Sequence, residues 1–377
     1  MISKIVICTI NLTTNLNQVN GGVDSAIINL LDGLSKFPKK SIYVISFTKA
    51  KSKIVRYKSN IILIYINFNF FKSSKLSFVC KAPFLFRKLI NKIQPDIIHY
   101  QLHGIFLIIR LFLKKHKFQE LNTFHGIYHL EAKINKGNKL EARINNLMNK
   151  FFLTKNAIFI SKFSAKSLIN YKFNKSAIIP NSISPKFNVN STFDSDNLEL
   201  LFVGLISPLK NLELIIESLR LLKNNFNVKL YVYGSFKSPT YEKLILEKIE
   251  IYKLQDQIVF KGFISQNELL SVLNNNNIVT VPSLHENLPM VIAESLMMNN
   301  IVIASKVGGI PEMIENNKSG FLIDPYAPKE LSILLTDILT NKYDLKQIAR
   351  NGKEFAINNF LSEYIAHRSI KFYESLL

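Results

Sequence analysis

A chain of 377 residues is too long for one ordinary hydrophobic core and ample for two. Apolar residues make up 47% of it, enough to fill both, which excludes an intrinsically disordered chain. Net charge is +21, and the whole excess lies in one half: residues 1–180 hold 29 Lys+Arg against 6 Asp+Glu, residues 181–377 hold 19 against 21. The two cysteines, Cys8 and Cys80, cannot build a disulfide framework; both lie in apolar runs and are expected to be buried, inert thiols of a reducing compartment. No apolar run reaches membrane-spanning length, and a strand-like run at 4–10 stands where a signal peptide would, so a cytoplasmic protein is expected, soluble or peripherally attached.

Short, β-branched apolar runs alternate with helical patterns along the chain. Strands are predicted at 4–10, 41–47, 61–66, 96–100, 121–124, 157–161 and 177–180, with helices at 23–35, 84–93, 105–117 and 140–153. The second half repeats the scheme, with strands at 198–203, 228–233, 257–260, 278–281, 301–304 and 320–323. Its helices are predicted at 212–222, 241–252, 267–273, 289–298 and 329–339, followed by 345–358 and 362–376. Continuous apolar strands between helices imply parallel sheets covered on both faces, hence an α/β chain of two doubly wound, Rossmann-like domains. Pro185, Asn188, Asn190, Ser191 and Thr192 break the pattern. They suggest a first domain at 1–180, a linker at 181–197 and a second domain at 198–359, with the last helix, about 360–377, crossing back onto the first. Ligands of such sheets bind beyond the carboxyl ends of the strands, so the cleft between the domains is the expected site.

The strongest constellation follows the strand at 278–281. Pro282 ends it, the next loop carries Glu286 and Asn287, and Leu288-Pro289-Met290-Val291 opens a helix with Glu294 on its second turn. Free amides at a helix start suit an anion, and paired carboxylates suit sugar hydroxyls. By spacing alone, a solvated loop acid and a helix-surface acid fit equally well. A second signal is Phe202-Val203-Gly204-Leu205-Ile206-Ser207-Pro208-Leu209-Lys210-Asn211, a strand, a tight glycine loop and a lysine before a helix. Lys210 is placed either to neutralise a departing diphosphate or simply to solvate a helix start. Gly21-Gly22, between the first strand and the first helix, permits close approach of backbone to phosphate, and as a plain turn would be equally ordinary. His125-Gly126 ends the strand at 121–124; a lone histidine is more often structural, and His99, His103 and His129 have no functional context. With no Asp-x-Asp, paired His or Cys-x-x-Cys element, no metal is expected.

The run Glu286-Asn287-Leu288-Pro289-Met290-Val291-Ile292-Ala293-Glu294 resembles the Glu-x7-Glu signature of retaining glycosyltransferases of family 4. Val307-Gly308-Gly309-Ile310-Pro311-Glu312 and Gly320-Phe321-Leu322 continue the likeness, which is close over 198–330 and loose in the first half. It implies the GT-B fold, two Rossmann-like domains facing across a cleft. It also implies a UDP- or GDP-sugar as donor of a hexose or amino-hexose, with no cofactor. By residue-for-residue match, Glu286 contacts the donor sugar, Glu294 holds the nucleotide ribose and Lys210 meets the diphosphate, with Asn287, Leu288, Pro289, Met290 and Val291 around them. Gly21 and Gly22 match the glycine loop facing the diphosphate, and His125 the histidine pointing at the sugar. Phe263, in the turn Lys261-Gly262-Phe263, falls where the family packs the base. Ser161 resembles a strand-end serine, and Pro180-Asn181-Ser182-Ile183 resembles the opening of the linker, with Ser182 where glycine is usual. Leu205 stands where the family usually carries an arginine.

The implied acceptor is a saccharide or lipid-linked saccharide of the lipopolysaccharide or capsule kind. The basic half is expected to dock on an anionic membrane through 83–92, 105–117 and 133–150. A sugar-nucleotide epimerase shares the architecture but needs acid–base groups that these motifs do not supply. A nucleic-acid binder would carry a helix-turn-helix or zinc finger beside its charge, and no nucleic-acid partner is expected.

Overall fold

The computed structural model describes residues 2–15, 21–68, 74–102, 104–110, 112–113, 118–126, 153–168, 171–189, 199–222, 226, 228–274 and 277–377. The predicted helix at 140–153, apart from Leu153, lies outside them, as do 133–150, His103, His129, Lys114, Lys117 and residues 190–197 of the predicted linker. The chain divides into two units, Met1–Ser182 with Ser362–Leu377, and Ile183–Leu361.

The first unit is built on eight strands: β1 (Lys4–Ile10), β2 (Ser41–Thr48), β3 (Lys53–Lys58), β4 (Ile61–Asn67), β5 (Ile97–Tyr100), β6 (Gln119–Phe124), β7 (Asn156–Phe159) and β8 (Lys175–Ile178). Their order is β3-β4-β2-β1-β5-β6-β7-β8, and every pairing is parallel except that of β3 with β4. Helix α1 (Gly22–Leu34) covers one face, burying Ile27, Leu31 and Leu34 against Ile5 and Ile7. Helix α2 (Ser74–Ile93) covers the other, where Phe78, Phe86 and Ile90 meet Phe47 and Tyr100. A short helix, α3 (Lys162–Ser167), follows β7. Burial on both faces is what makes the strand runs apolar without alternation.

Several expectations need correction. Strand β3 has no counterpart among the predicted strands: Lys53-Ile54-Val55-Arg56-Tyr57-Lys58 mixes charged and apolar residues, as suits a sheet edge open to solvent. Helix α2 starts ten residues before the predicted helix and runs through Pro83. At 105–117 the described chain is a 3₁₀ turn, Gly104–Arg110, not an amphipathic α-helix. Leu107 and Ile109 are in the core, and Arg110 is paired with Glu120 at 2.7 Å, so these three described side chains are not free to face a membrane. Cys8 is buried as expected, but Cys80 is exposed on α2.

The second unit holds six parallel strands in the order β11-β10-β9-β12-β13-β14: β9 (Leu200–Val203), β10 (Leu230–Tyr233), β11 (Ile258–Gly262), β12 (Ile278–Val281), β13 (Ile301–Ser305) and β14 (Phe321–Ile323). Its helices are α4 (Leu212–Leu222), α5 (Pro239–Ile251), α6 (Gln266–Leu273), α7 (Met290–Met297), α8 (Pro328–Leu339) and α9 (Leu345–Phe360). Leu212, Ile215, Ile216 and Leu219 on one stripe of α4 pack with Leu200 and Phe202, the spacing that announced the helix.

After Leu361 the chain re-enters the first unit as α10 (Ser362–Ser375), which adds Ile365, Ile370 and Tyr373 to the core under α1. A Cβ on Gly33 of α1 would stand 2.2 Å from the Ser362 carbonyl oxygen, so only glycine lets α10 cross there. Gly33→Val should therefore destabilise the protein by about 1–3 kcal/mol through overpacking. A lowered denaturant midpoint at unchanged m-value checks this.

Candidate functional site

In the second sheet β9 and β12 are neighbours whose crossovers part, one through α4 to β10 and the other through α7 to β13. Such a divergence leaves a crevice beyond the carboxyl ends of the two strands. Lys210 follows β9 and Glu286 follows β12. After β9, Gly204 turns with φ +147°, and a Cβ on Gly234 after β10 would stand 1.9 Å from the Gly204 oxygen. The 3₁₀ turn Pro208–Lys210 ends at Asn211, held left-handed at φ 55°. Asn211 Nδ2 donates to the Pro282 oxygen at 3.1 Å and to the Pro325 oxygen at 2.9 Å, tying the loops after β9, β12 and β14 together. The Leu284 amide adds a bond to the Leu209 oxygen at 2.8 Å.

These ties bring Lys210 Nζ onto Glu286 Oε1 as a hydrogen-bonded ion pair. Ser283 Oγ donates to the same oxygen at 2.9 Å. The Glu286 carbonyl accepts from the Gly309 amide at 3.2 Å, and a Cβ on Gly308, at φ 55°, would stand 1.8 Å from that carbonyl. Val307–Glu312 thus acts as a buttress under Glu286, and glycine is required for the close approach. Glu286 is accordingly neither free nor solvated.

Pro289 occupies the position before α7, with no side chain capping the helix start. Asn287, Leu288 and Pro289 are buried, Met290 and Val291 half-buried. Glu294 is not a helix-surface acid: it is 5% exposed, and burial pushes its pKa up to about 7, opposed by the Gln266 side chain of α6. Phe263 is 62% exposed beyond the edge strand β11, and Leu205 is 49% exposed in the loop after β9.

The first sheet has its own divergence, between β1 and β5. Gly21, with φ +137°, leads into α1, and a Cβ there would meet nothing within 4 Å; glycine is needed for the backbone angle, not for space. Gln101 follows β5 and His125 follows β6. His125 Nδ1 lies 3.0 Å from Asn181 Oδ1, and its Nε2 is hydrogen-bonded to Gln101 Oε1. Ser182, the next residue, is fastened to α1: its Oγ donates to the Ala26 oxygen at 3.1 Å, and its carbonyl accepts from Asn29 Nδ2 at 2.9 Å. Ser161 caps α3, accepting from the Ser164 amide at 3.0 Å, which accounts for it structurally. Gln101 and Ser283 were given no role by the sequence reading, and Asn211 entered it only as the residue before a helix. His99, given no context there, is two residues before Gln101 on a strand, the period that puts both side chains on one face. Among the described residues no group of three or more His, Cys, Asp or Glu is placed to hold a metal ion, and no helix is long and apolar enough to cross a membrane.

The raised pKa of Glu294 makes stability pH-dependent. Between its ordinary value of 4.5 and about 7 the folded chain holds a proton that the unfolded chain has lost. Stability therefore falls as pH rises through that window, by roughly 3 kcal/mol in all. Glu294→Gln should flatten the slope and raise stability above the window, as denaturant midpoints below and above it would report.

Comparison with known proteins agrees with this architecture. Residues 20–187 match the model of Glycosyltransferase Family 4, and residues 183–355 that of Glycosyl transferases group 1. An uncharacterised glycosyltransferase of Methanocaldococcus jannaschii is 23% identical, over 55% of this chain and 56% of that protein. A putative colanic acid biosynthesis glycosyltransferase of Salmonella typhimurium is 25% identical, over 45% of this chain and 43% of its own. The matches thus span about half the length of these relatives. Among solved structures, sucrose-phosphate synthase from Thermosynechococcus elongatus superposes with a TM-score of 0.78 at 19% identity, covering 98% of both chains. An Anabaena protein in complex with UDP-glucose gives 0.74 at 17%, covering 98% of this chain and 99% of that one. Two glycosyltransferase family models matched in tandem, with this pair of parallel sheets and these structural neighbours, give the chain the GT-B fold.

Proposed function

We propose that the protein is a retaining, family 4 enzyme. It moves a hexose or amino-hexose from a nucleoside-diphosphate sugar to a saccharide or lipid-linked acceptor in surface polysaccharide synthesis. The observation that carries this reading is the Lys210–Glu286 pair at the β9/β12 divergence, with the buried Glu294 on the helix that follows. Glu286 accepts hydroxyls of the donor sugar, Glu294 accepts the ribose diol, and Lys210 meets the charge that grows on the diphosphate as the bond to the sugar breaks. The family resemblance assigns Phe263 to the base, the Gly21-Gly22 turn to the phosphates and His125 to the sugar. The acceptor hydroxyl attacks from the face the diphosphate leaves and passes its proton to a phosphate oxygen. The colanic acid relative and the UDP-glucose complex of the structural neighbour support the acceptor and donor classes.

Donor hydrolysis without acceptor, run over a set of UDP- and GDP-sugars, identifies the donor. Lys210→Ala should lower turnover of that donor roughly 10²–10³-fold, the usual cost of one principal electrostatic contact. Near-normal turnover would remove Lys210 from the mechanism, and strong inhibition by a chelator would overturn metal independence.

The charge asymmetry supports docking of the first unit on an anionic membrane. The surface available is the outer face of α2, where Cys80, Phe84, Lys88 and Lys92 are exposed in register around the buried Phe78, Phe86 and Ile90. Each lysine near an anionic leaflet contributes about 1 kcal/mol. The protein should sediment with anionic vesicles at low salt and be released at high salt, and Lys88→Glu with Lys92→Glu should weaken binding at least tenfold. Equal binding to neutral vesicles would refute an electrostatic dock.

A further inference from the structure

Beyond the carboxyl ends of β9 and β10 the two segments run on side by side. Ile206 forms a parallel bridge with Phe236: its amide donates to the Ser235 oxygen and its oxygen accepts from the Lys237 amide, both at 2.9 Å. We propose that Lys237, fastened in this way to the loop that leads to Lys210, is the standing cation for the diphosphate of the donor and binds it without opening the Lys210–Glu286 pair. The inference rests on the donor class proposed above and adds a binding residue to it.

Packing and topology give Lys237 its direction. Ile206 is fully enclosed, and Phe236 packs on the same core cluster, the one built with α4 and α5. Side chains alternate along extended backbone, so Leu205, Ser235 and Lys237 stand on the opposite face, and all three are exposed. The crossovers say which helices share that face. Helices α4 and α5 carry the chain from β9 to β10 and on to β11, in one direction across the sheet. Helices α6 and α7 carry it from β11 back to β12 and on to β13, in the other. Crossovers between parallel strands are right-handed, so the two directions put their helices on opposite faces. Lys237 therefore lies on the face of α6 and α7, the helices of Gln266 and Glu294, next to the loop that ends in Lys210.

Charge makes this placement matter. Lys210 is already committed to Glu286, so the pair presents no net charge, whereas a nucleoside diphosphate is a multiply charged anion. Lys237 has no such commitment, since no carboxylate among the described residues pairs with it. Nor does it serve the helix it precedes: the next residue, Ser238, is the N-cap of α5, and a helix dipole disfavours a cation at that end. Lys261, also near this edge of the sheet, is held over the Tyr231 ring, 5.2 Å from its centre. A lysine is a compact charge on a flexible stem, which suits a reach from one loop to an anion over the next.

The test measures binding of UDP and of GDP to the full-length protein by calorimetry, which needs no acceptor. Lys237→Ala should weaken whichever nucleotide binds by about ten- to a hundredfold, the loss of one hydrogen bond to a charged group. Lys237→Arg should keep most of the affinity. Leu205→Arg, which puts a cation on the same face of the adjoining loop, should restore it to Lys237→Ala. Lys306→Ala removes an exposed lysine just after β13 and should change the affinity by less than about threefold, the screened effect of a surface charge. Unchanged affinity in Lys237→Ala, or an equal loss in Lys306→Ala, would overturn the contact and leave the donor site standing. Failure of both nucleotides to bind the wild-type protein would overturn the contact and the donor class together. A loss confined to Lys237→Ala, with turnover untouched in Lys210→Ala, would uphold Lys237 and remove Lys210 from the mechanism.

Discussion

Parallel strands cannot be closed by tight turns, and every one in this chain needs a crossover to its neighbour. Where two adjacent crossovers leave in opposite directions, backbone and side chains can converge on a gap that no helix fills. The Lys210–Glu286 pair occupies such a gap, and its surroundings read as the means of holding it there. Asn211 spends its side-chain amide on two carbonyls of other loops, Gly308 yields its Cβ to the Glu286 carbonyl, and Ser283 supplies a second donor to the carboxylate. A half-buried carboxylate left alone would carry an unpaid desolvation penalty; the lysine offsets it. The pair is therefore better understood as a way of keeping two charges ready than as a source of stability.

The first unit obeys the same constraint with different chemistry. Its divergence, between β1 and β5, is served by amides and imidazoles instead of an ion pair. His99, Thr123 and Tyr373 are almost wholly enclosed, and Tyr373 arrives from the far end of the chain on α10. Helix α10 thereby does more than fill a core: it places the Tyr373 hydroxyl against His99 at the end of β5. The glycine at position 33 that permits its crossing is thus linked to the polar chemistry of β5.

Legibility in the sequence followed locality. The strand at 278–281 and the helix at 212–222 have the bounds their patterns predict, because each is set by its own apolar period. Phe106, Ile109 and Leu113 follow a helical spacing as well, but a 3₁₀ turn pressed on a core satisfies the same spacing, and Arg110 finds its partner in a strand ten residues on. The carboxylates at 286 and 294 were visible by spacing and resemblance. Their environments were not: the burial of Glu294 depends on the neighbouring α6, and Glu286 meets a lysine 76 residues away. Nothing near His99 in sequence announces Tyr373, 274 residues downstream.

The exchange of arginine for Leu205 gives the Lys210–Glu286 pair a particular consequence under the proposed function. A diphosphate that met two cations could take one and leave the other on Glu286. Here the loop after β9 offers an exposed leucine in that place, and Lys210 already serves the carboxylate. For the lysine to reach phosphate it must leave Glu286, and the carboxylate then needs new donors beyond Ser283. The ribose diol of a nucleotide goes to Glu294 in this reading, whereas the sugar of a sugar nucleotide brings ring hydroxyls to Glu286. The cost of opening the pair is thus offset only when sugar and diphosphate arrive together. An ion pair that holds the empty site then also favours the intact donor over its own product, the free nucleotide, a selectivity that a second cation at position 205 would relax.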